Sequence, residues 1–544
     1  MSQSSEWWRG AVIYQVYPRS FCDTNADGIG DLPGITTHLD HIQDLGVEGI
    51  WISPFFKSPM VDFGYDVSDY CDVDPIFGTL DDFKHLLDEA HKRDLKIIID
   101  QVWSHTSEEH VWFKKSRSDR TNERADWYVW RDPKPDGTPP NNWLAMFGGP
   151  AWTWDPRREQ YYLHHFFKNQ PALNYWNPEV RRRIKRTASF WLDMGVDGFR
   201  LDVANCYMYD KDFTDNPVRP RDWPHPTDLP AGNPIAYQQR VNSMCRPENI
   251  EWIEELSAYI KGWGDDKCLL AEAGGDESEA LAASYTQTDK RFSMAYAFGL
   301  LGGSFTKDSA HTAMAKVQEV VQDGWICWAL NNHDNKRFIS RLEGIQGTNE
   351  DKARLGMALG LSLRGSYCIY QGEELGLPQS ELRFEDLRDP YDIAMYPEHA
   401  GRDGARTPIP WTHHIPHAGF STGAKTWLPL DGSHVALSVD LQEKDENSVL
   451  NAYKHMLQWR KDHLILRYGD FEMLPSEDGI IAFERLYEGR IVVCLFNISD
   501  QTVSHPLPKD EHYAQIAEIS HNSGLSGRHV ELNPYGYAFF DKIS

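Results

Sequence analysis

The sequence offers little for crosslinking or for crossing a bilayer. Its eight cysteines are scattered at 22, 71, 206, 245, 268, 327, 368 and 494, and no CxxC pair occurs. That spacing disfavours a disulfide or zinc framework and fits buried free thiols in a reducing compartment. No run of about 18 apolar residues exists to span a membrane. The opening "MSQSSEWWRGAVIYQ" lacks the basic start and apolar core of a secretory leader, so the expected location is cytoplasmic. Positive charge is also short: 55 Lys and Arg stand against 81 Asp and Glu, a net of −26. Such an excess repels phosphate backbones and anionic lipid, which makes nucleic acid and membranes poor partners and favours a neutral or cationic substrate.

What the chain does have is apolar and aromatic residues. Across 544 residues 41% are hydrophobic, enough for a sizeable core, and there are 20 Trp, 24 Tyr and 24 Phe. Aromatic faces either fill a core or line a pocket, where they stack on the apolar faces of sugar rings.

The apolar residues are patterned. "AVIYQVYP", "GIWISPF" and "LKIIIDQVWSH" are apolar on both faces, and helical patterns separate them. In "GITTHLDHIQDLGV" Ile35, Leu39, Ile42 and Leu45 share one helical face; "LDDFKHLLDEAHKRD" is a second helix. Strands apolar on both faces, alternating with helices, predict a parallel sheet covered by helices. After an irregular stretch the alternation resumes with "VDGFRLDVA", "CLLAEAG", "FSMAYAFGL", "WICWALNNHD" and "SYCIYQGEELG". Eight such strands close a β/α barrel. The expected architecture is therefore a (β/α)8 TIM barrel of the α/β class over residues 1–105 and 175–468. An irregular, Trp/Pro/Gly-rich insertion after strand 3 fills 106–174, and a smaller one after strand 8 fills 376–425. A helix is expected at 448–466. Beyond 469, "GDFEMLP", "GIIAFERLY", "RIVVCLFNI" and "GYAFFDKI" alternate as strands with turns between, a C-terminal all-β, sandwich-like domain at 469–544.

In such barrels the chemistry sits at the C-terminal ends of the strands. Four apolar runs here end in an acid: Asp100, Asp202, Glu272 and Asp334. One buried carboxylate is readily a helix cap or half of a core ion pair. Four on one rim do not fit that role so easily, because burial penalises the charged form. Arg200 and Asp202 are two apart on a strand and face the same way, so the cation is expected to lower the Asp202 pKa. The apolar approach to Glu272 is expected to raise its pKa. One ionised and one protonated carboxyl, about 5 Å apart, is what retaining glycoside hydrolysis requires.

Taken together, "DQVWSH", "GFRLDVAN", "LLAEAGG", "NNHD" and "GRDGARTPIPW" (401–411) resemble the motifs of the α-amylase superfamily, glycoside hydrolase family thirteen. The resemblance runs from "WWRGAVIYQVYPRSF" to the β-rich tail and is strongest to the α-glucosidases and oligo-1,6-glucosidases. It implies a retaining exo-acting α-glucosidase that releases glucose from short oligosaccharides through a covalent glycosyl-enzyme. Asp202 would be the nucleophile, Glu272 the acid and base, and Asp334 the carboxylate that holds the sugar by its 2- and 3-hydroxyls. His105 and His333 would donate to hydroxyls of the same ring. Asp62, Tyr65 and Arg402 would close the pocket behind the terminal glucose. Phe147 and Phe166 would line the pocket wall or pack in the core. No organic cofactor is implied, and the expected assembly is a monomer or homodimer.

The stretch "DTNADGIGDLPG" at 23–34 matches an EF-hand loop at its first, third, fifth, sixth and ninth positions, but Gly34 stands where a bidentate Glu is needed. It also follows a strand, not a helix. The resemblance implies one structural divalent ion, Ca2+ or Mg2+, held by Asp23, Asn25, Asp27, the carbonyl of Ile29 and Asp31. Two positions depart from common family usage: Ala172 replaces an Asp in "QPALN", and Val203 follows the nucleophile. Val at that place accompanies α-1,6 preference in relatives. A transglycosylase or isomerase, such as a sucrose isomerase or trehalose synthase, is the alternative on the same barrel. Non-catalytic relatives such as the heavy chains of amino-acid transporters often lack the carboxylates that are present here.

Overall fold

The barrel strands are short and wholly buried. In the computed structural model, which describes residues 6–223, 229, 232–342, 347–397, 401–507 and 512–543, they are β1 (Val12–Val16), β2 (Gly49–Ile52), β3 (Lys96–Gln101), β4 (Gly198–Leu201), β5 (Cys268–Ala271), β6 (Met294–Ala297), β7 (Ile326–Trp328) and β8 (Ser366–Tyr370). They pair in parallel in chain order, and β8 returns to β1 to close the ring. Side chains such as Ile13, Ile98, Leu270, Met294 and Cys327 fill the interior, while Ile50, Ile97, Ile99 and Leu201 face the helices. Both sets are apolar, which is why these strands read as continuous hydrophobic runs.

The helices carry legible ends. The helix Leu80–Lys92 starts with Thr79 and Asp82 in a capping box. The helix Pro178–Met194 is capped by Asn177, begins with Pro178 and stops at Gly195, whose φ of 109° lies in the left-handed region. The face formed by Ile35, Leu39, Ile42 and Leu45 is buried as expected, but it belongs to two helices, α1 (Leu32–Thr37) and α2 (Leu39–Leu45). His38 interrupts them at φ −114° and ψ 16°. Its ring lies 3.7 Å from the Trp411 ring, so a contact from the far end of the chain overrides helical propensity there.

The insertion after β3 is more ordered than its composition predicts. It holds a helix (Val111–Ser118) and a three-stranded antiparallel sheet (Trp130–Arg131, Gln160–Leu163 and Trp152–Asp155). Buried Trp143, Trp152 and Leu163 stabilise it from beneath. The expected final helix is Val449–Asp462, followed by a short one at Leu464–Tyr468.

In the C-terminal region the four expected strands are found at Asp470–Met473, Ile480–Tyr487, Arg490–Asn497 and His529–Ile543, and three more join them. Val503–Pro506, His512–Gln515 and His521–Ser526 all pair antiparallel with the last strand. They are polar and largely exposed, so they carry no alternating apolar signal. All eight cysteines are free thiols. Among the described residues no helix is long and apolar enough to cross a membrane.

Candidate active site

The register of three neighbouring strands assembles the centre of the site. Asp100 on β3 lies opposite Arg200 on β4. Asp202 donates its N–H to the Gln101 carbonyl at 3.1 Å, and Glu272 donates to the Leu201 carbonyl at 2.9 Å. The side chains therefore emerge at one level on the barrel's C-terminal rim. There the Arg200 guanidinium binds three acids: Asp100 at 2.9 and 3.0 Å, Asp202 at 2.6 Å, and Glu272 through its other terminal nitrogen. Glu272 also accepts the Val203 N–H at 3.0 Å.

Three buried carboxyls facing one cation cannot all ionise cheaply. Burial pushes Asp100 up to about 6, Asp202 up to about 7 and Glu272 up to about 8, each against the pull of Arg200. The expected lowering of Asp202 is thus corrected: Arg200 does act in that direction, but desolvation outweighs it. Burial raises Glu272 as well, the direction expected from its apolar approach.

These groups open into a cavity of about 1240 Å³. Asp62, Tyr65, His105, Phe147, Phe166, Asp202, Glu272, Asp334 and Arg402 all line it. Arg200 and His333 stand just behind that lining. The His333 ring lies parallel to Tyr65 with centroids 5.3 Å apart, and its Nε2 is 3.2 Å from Asp334. Burial keeps His333 neutral, with a pKa pushed down to about 3. Burial would raise the Asp334 pKa, yet His333, Arg402 and Arg406 together hold it below the usual carboxylate range. With His333 neutral, the two arginines supply that charge.

At one end of the cavity Arg402 donates to Asp62 at 3.0 Å and to Asp389 at 2.7 Å, and stands 3.4 Å from Asp334. Its guanidinium lies 4.9 Å from the Phe147 ring centroid. Burial pushes Asp62 up to about 6 in spite of this cation. His105 has both ring nitrogens engaged, with Ser104 Oγ at 2.8 Å and the Tyr65 carbonyl at 2.8 Å. Phe166 packs 5.4 Å from both His105 and Phe147.

Several site residues carry no clear mark in the sequence. Gln170 donates to Asp62 and to the Tyr65 carbonyl, both at 3.0 Å. Asp389 anchors Arg402, and Arg406 donates to Asp334 at 2.9 Å and to the His333 carbonyl at 2.7 Å. Arg406 lies within "GRDGARTPIPW" and Gln170 within "QPALN", so nearby signals existed; Asp389 has none. Ala172, by contrast, is buried in the apolar cluster of Val129, Trp143 and Leu163 and is not part of the cavity lining. Val203 is a backbone outlier at φ 38° and ψ 52°, an unusual and strained place for a β-branched residue.

The chain and its fold have close counterparts among known proteins. The family "Alpha amylase, catalytic domain" matches residues 15–469. This chain belongs to the α-amylase family. Among curated members it is 48% identical to a probable alpha-glucosidase of Rhizobium meliloti over 99% of this chain and 97% of the relative. It is 36% identical to the oligo-1,6-glucosidase of Heyndrickxia coagulans, over 93% and 94% of the two chains. Among solved structures, that of the alpha-glucosyl transfer enzyme XgtA superposes with a TM-score of 0.95 at 47% identity, covering 99% of each chain. An isomaltulose synthase mutant of Erwinia rhapontici superposes with a TM-score of 0.88 at 30% identity, again over 99% of each. As a member of this family the chain is a glycoside hydrolase, and its β-rich tail follows the same architecture.

The 23–31 loop of this α-amylase-family barrel is a chain of Asx turns. Asp23 accepts from the N–H groups of Asn25, Ala26 and Gly28, Asn25 from Asp27, and Asp27 from Ile29. Ser421 also donates to Asp23 at 2.5 Å, and Asp31 caps α1 by accepting from Gly34 at 2.7 Å. A Cβ at Gly34 would stand 2.0 Å from the Cys22 carbonyl oxygen, so the backbone crossing leaves no room for the bidentate Glu of an EF-hand. All five donor groups are oxygens, the set a hard cation takes, and the exposed Asp27 carboxylate has one oxygen outside this hydrogen-bond chain.

Proposed function

We infer that this chain is a retaining, exo-acting α-glucosidase that releases α-D-glucose from the non-reducing end of short oligosaccharides. The observation that carries this reading is the placement of Asp202 and Glu272 on adjoining strand ends, bound by the two terminal nitrogens of one guanidinium. Two carboxyls that close suit direct attack, since an inverting enzyme needs room for a water between them. In the first step an Asp202 oxygen bonds to the anomeric carbon while Glu272 gives its proton to the departing glycosidic oxygen. In the second step Glu272 takes a proton from water, which displaces Asp202 and frees glucose. Asp334, held ionised between Arg402 and Arg406, accepts from the 2- and 3-hydroxyls of the bound ring. The Asp62–Arg402 pair is read as the end wall that stops a longer chain from passing through. Val203 beside the nucleophile gives a slight lean to α-1,6 linkages, in keeping with the oligo-1,6-glucosidases among the relatives.

One structural divalent ion belongs to this reading, Ca2+ or Mg2+, held by Asp23, Asn25, Asp27, the Ile29 carbonyl and Asp31. It would neutralise the loop's carboxylates and takes no part in bond cleavage.

A second reading has specific support. The high overlap with XgtA, named for glucosyl transfer, and with an isomaltulose synthase fits a transglycosylase or isomerase in which a sugar hydroxyl replaces water in the second step. Product analysis from maltose, isomaltose and sucrose separates the two. Free glucose is expected to dominate, fastest from isomaltose, and Asp202→Ala is expected to lower turnover by about four orders of magnitude with an unchanged circular dichroism spectrum. Transfer products exceeding glucose on every substrate would replace the hydrolase reading, and substantial activity in Asp202→Ala would remove the nucleophile assignment.

A further inference from the structure

Away from the barrel mouth, a second group of chemistry-bearing side chains converges. His413 and His414 are adjacent in "WTHHIPHAG", and Asp440 lies in the first turn of the short helix Val439–Gln442. Among the described residues this is the group of three His, Cys, Asp or Glu side chains whose ligand atoms all fall within 4.8 Å of one another. The Nδ1 atoms of His413 and His414 lie 2.8 and 3.6 Å from the same oxygen, Asp440 Oδ2.

The other carboxylate oxygen is already committed. Asp440 Oδ1 accepts the His413 N–H at 3.1 Å and the Ser438 hydroxyl at 2.7 Å. Those two donors fix the plane of the carboxylate and turn Oδ2 toward both imidazoles. The backbone is tied as well: Val439 and Asp440 donate to the carbonyls of Pro410 and Trp411 at 3.0 and 3.1 Å. An ion pair would need one imidazole. Here two rings, with centroids 4.9 Å apart and 67° between their planes, present a nitrogen each to one oriented oxygen.

We propose that His413, His414 and Asp440 form a binding site for a divalent transition-metal ion of the zinc class, with water completing the coordination. Two imidazole nitrogens and one carboxylate oxygen are the donor types that select such ions over calcium or magnesium. A hydrogen bond that orients a ligating carboxylate is a usual companion of such sites, and Ser438 provides it here. The site differs in class from the oxygen-only loop at Asp23–Asp31. A bound ion crosslinks the segment after Trp411 to the helix Val439–Gln442. That segment runs on to Phe420 and Ser421, which close over Asp23, so the crosslink stiffens the wall of the loop without touching the reacting groups.

The test is a ZnCl2 titration of the full-length protein by calorimetry, with Ca2+ in excess so that oxygen-only sites are filled. One saturable site per chain is expected, and it is lost in the His413→Gln/His414→Gln double variant. Ser438→Ala keeps all three ligands but frees the carboxylate, and should weaken binding by about tenfold. Co2+ used as the probe should give the visible absorption of a nitrogen- and oxygen-ligated ion in the wild type and none in the double variant. Hydrolytic turnover should be the same in all three proteins. Absence of saturable zinc binding in the wild type, or equal binding in the double variant, would reduce the cluster to an exposed ion pair and overturn the proposal.

Discussion

Asp100, Asp202 and Glu272 surround a single guanidinium, and that imbalance governs their protonation. With one cation for three buried acids, burial raises all three carboxyls, and the Asp202–Glu272 pair shares a retained proton at neutral pH, with Glu272 pushed up to about 8. A general acid must be protonated to act, so kcat/KM is expected to fall as pH rises through about 8, and the fall should disappear in Glu272→Gln on a substrate whose leaving group needs no proton. Stability runs in the same sense. The folded pKa lies above the unfolded carboxyl value, so folded protein binds more protons between the two, and its stability declines as pH rises from about 4.3 through 8. Glu272→Gln removes that penalty while Arg200 keeps Asp100 and Asp202. The variant should therefore be more stable than the wild type at pH 8 by about 0.5–2 kcal/mol, read as a higher melting temperature. A lower melting temperature there would mean that Glu272 anchors Arg200 rather than straining it. The Arg200–Asp202 pairing was legible from their spacing of two. That burial outweighs the arginine was not, because desolvation depends on the groups packed around the rim.

At the scale of the element, the eight strands could be read because each is buried on both faces, and a short apolar run bounded by turns suits a covered strand better than a surface helix. The edge strands of the C-terminal sheet could not, since Val503–Pro506 and His512–Gln515 gain their order from pairing with the last strand rather than from their own pattern. The break at His38 is likewise a long-range effect, imposed by Trp411. The 23–34 loop shows how a motif can mislead. Its spacing suggests an EF-hand with a single defect, yet Gly34 is where α1 passes against the Cys22 backbone. Gly34→Glu, which completes the EF-hand pattern, should lose stability by about 1–3 kcal/mol from overpacking and gain no calcium affinity. Denaturant midpoints and calcium titrations of the two proteins check both parts.

For the whole molecule, the loop at Asp23–Asp31 ties the end of β1 to a segment almost four hundred residues away through the Ser421–Asp23 bond. An ion bound there stabilises that closure by mass action. Calcium at about a hundred times its dissociation constant should add roughly 2.7 kcal/mol, read as a rise in melting temperature that chelator reverses. Initial rates well below the transition should not change, because none of the residues proposed to hold the ion lines the cavity. A steep dependence of rate on calcium at constant stability would instead make the loop a sensor.

The barrel, the family and the acids that end its strands could be read along the chain, because they follow from local patterns: apolar runs, strand spacing and short motifs. The folded arrangement was needed to show which cation the acids share, which way burial shifts them, that Gln170 lines the cavity, and that Asp389 and Arg406 hold Arg402 and Asp334 from behind. The reason is physical. Hydrophobic periodicity is written along the chain, whereas desolvation and ion pairing arise between residues that folding brings together across tens or hundreds of positions, as Arg402 and Asp62 are.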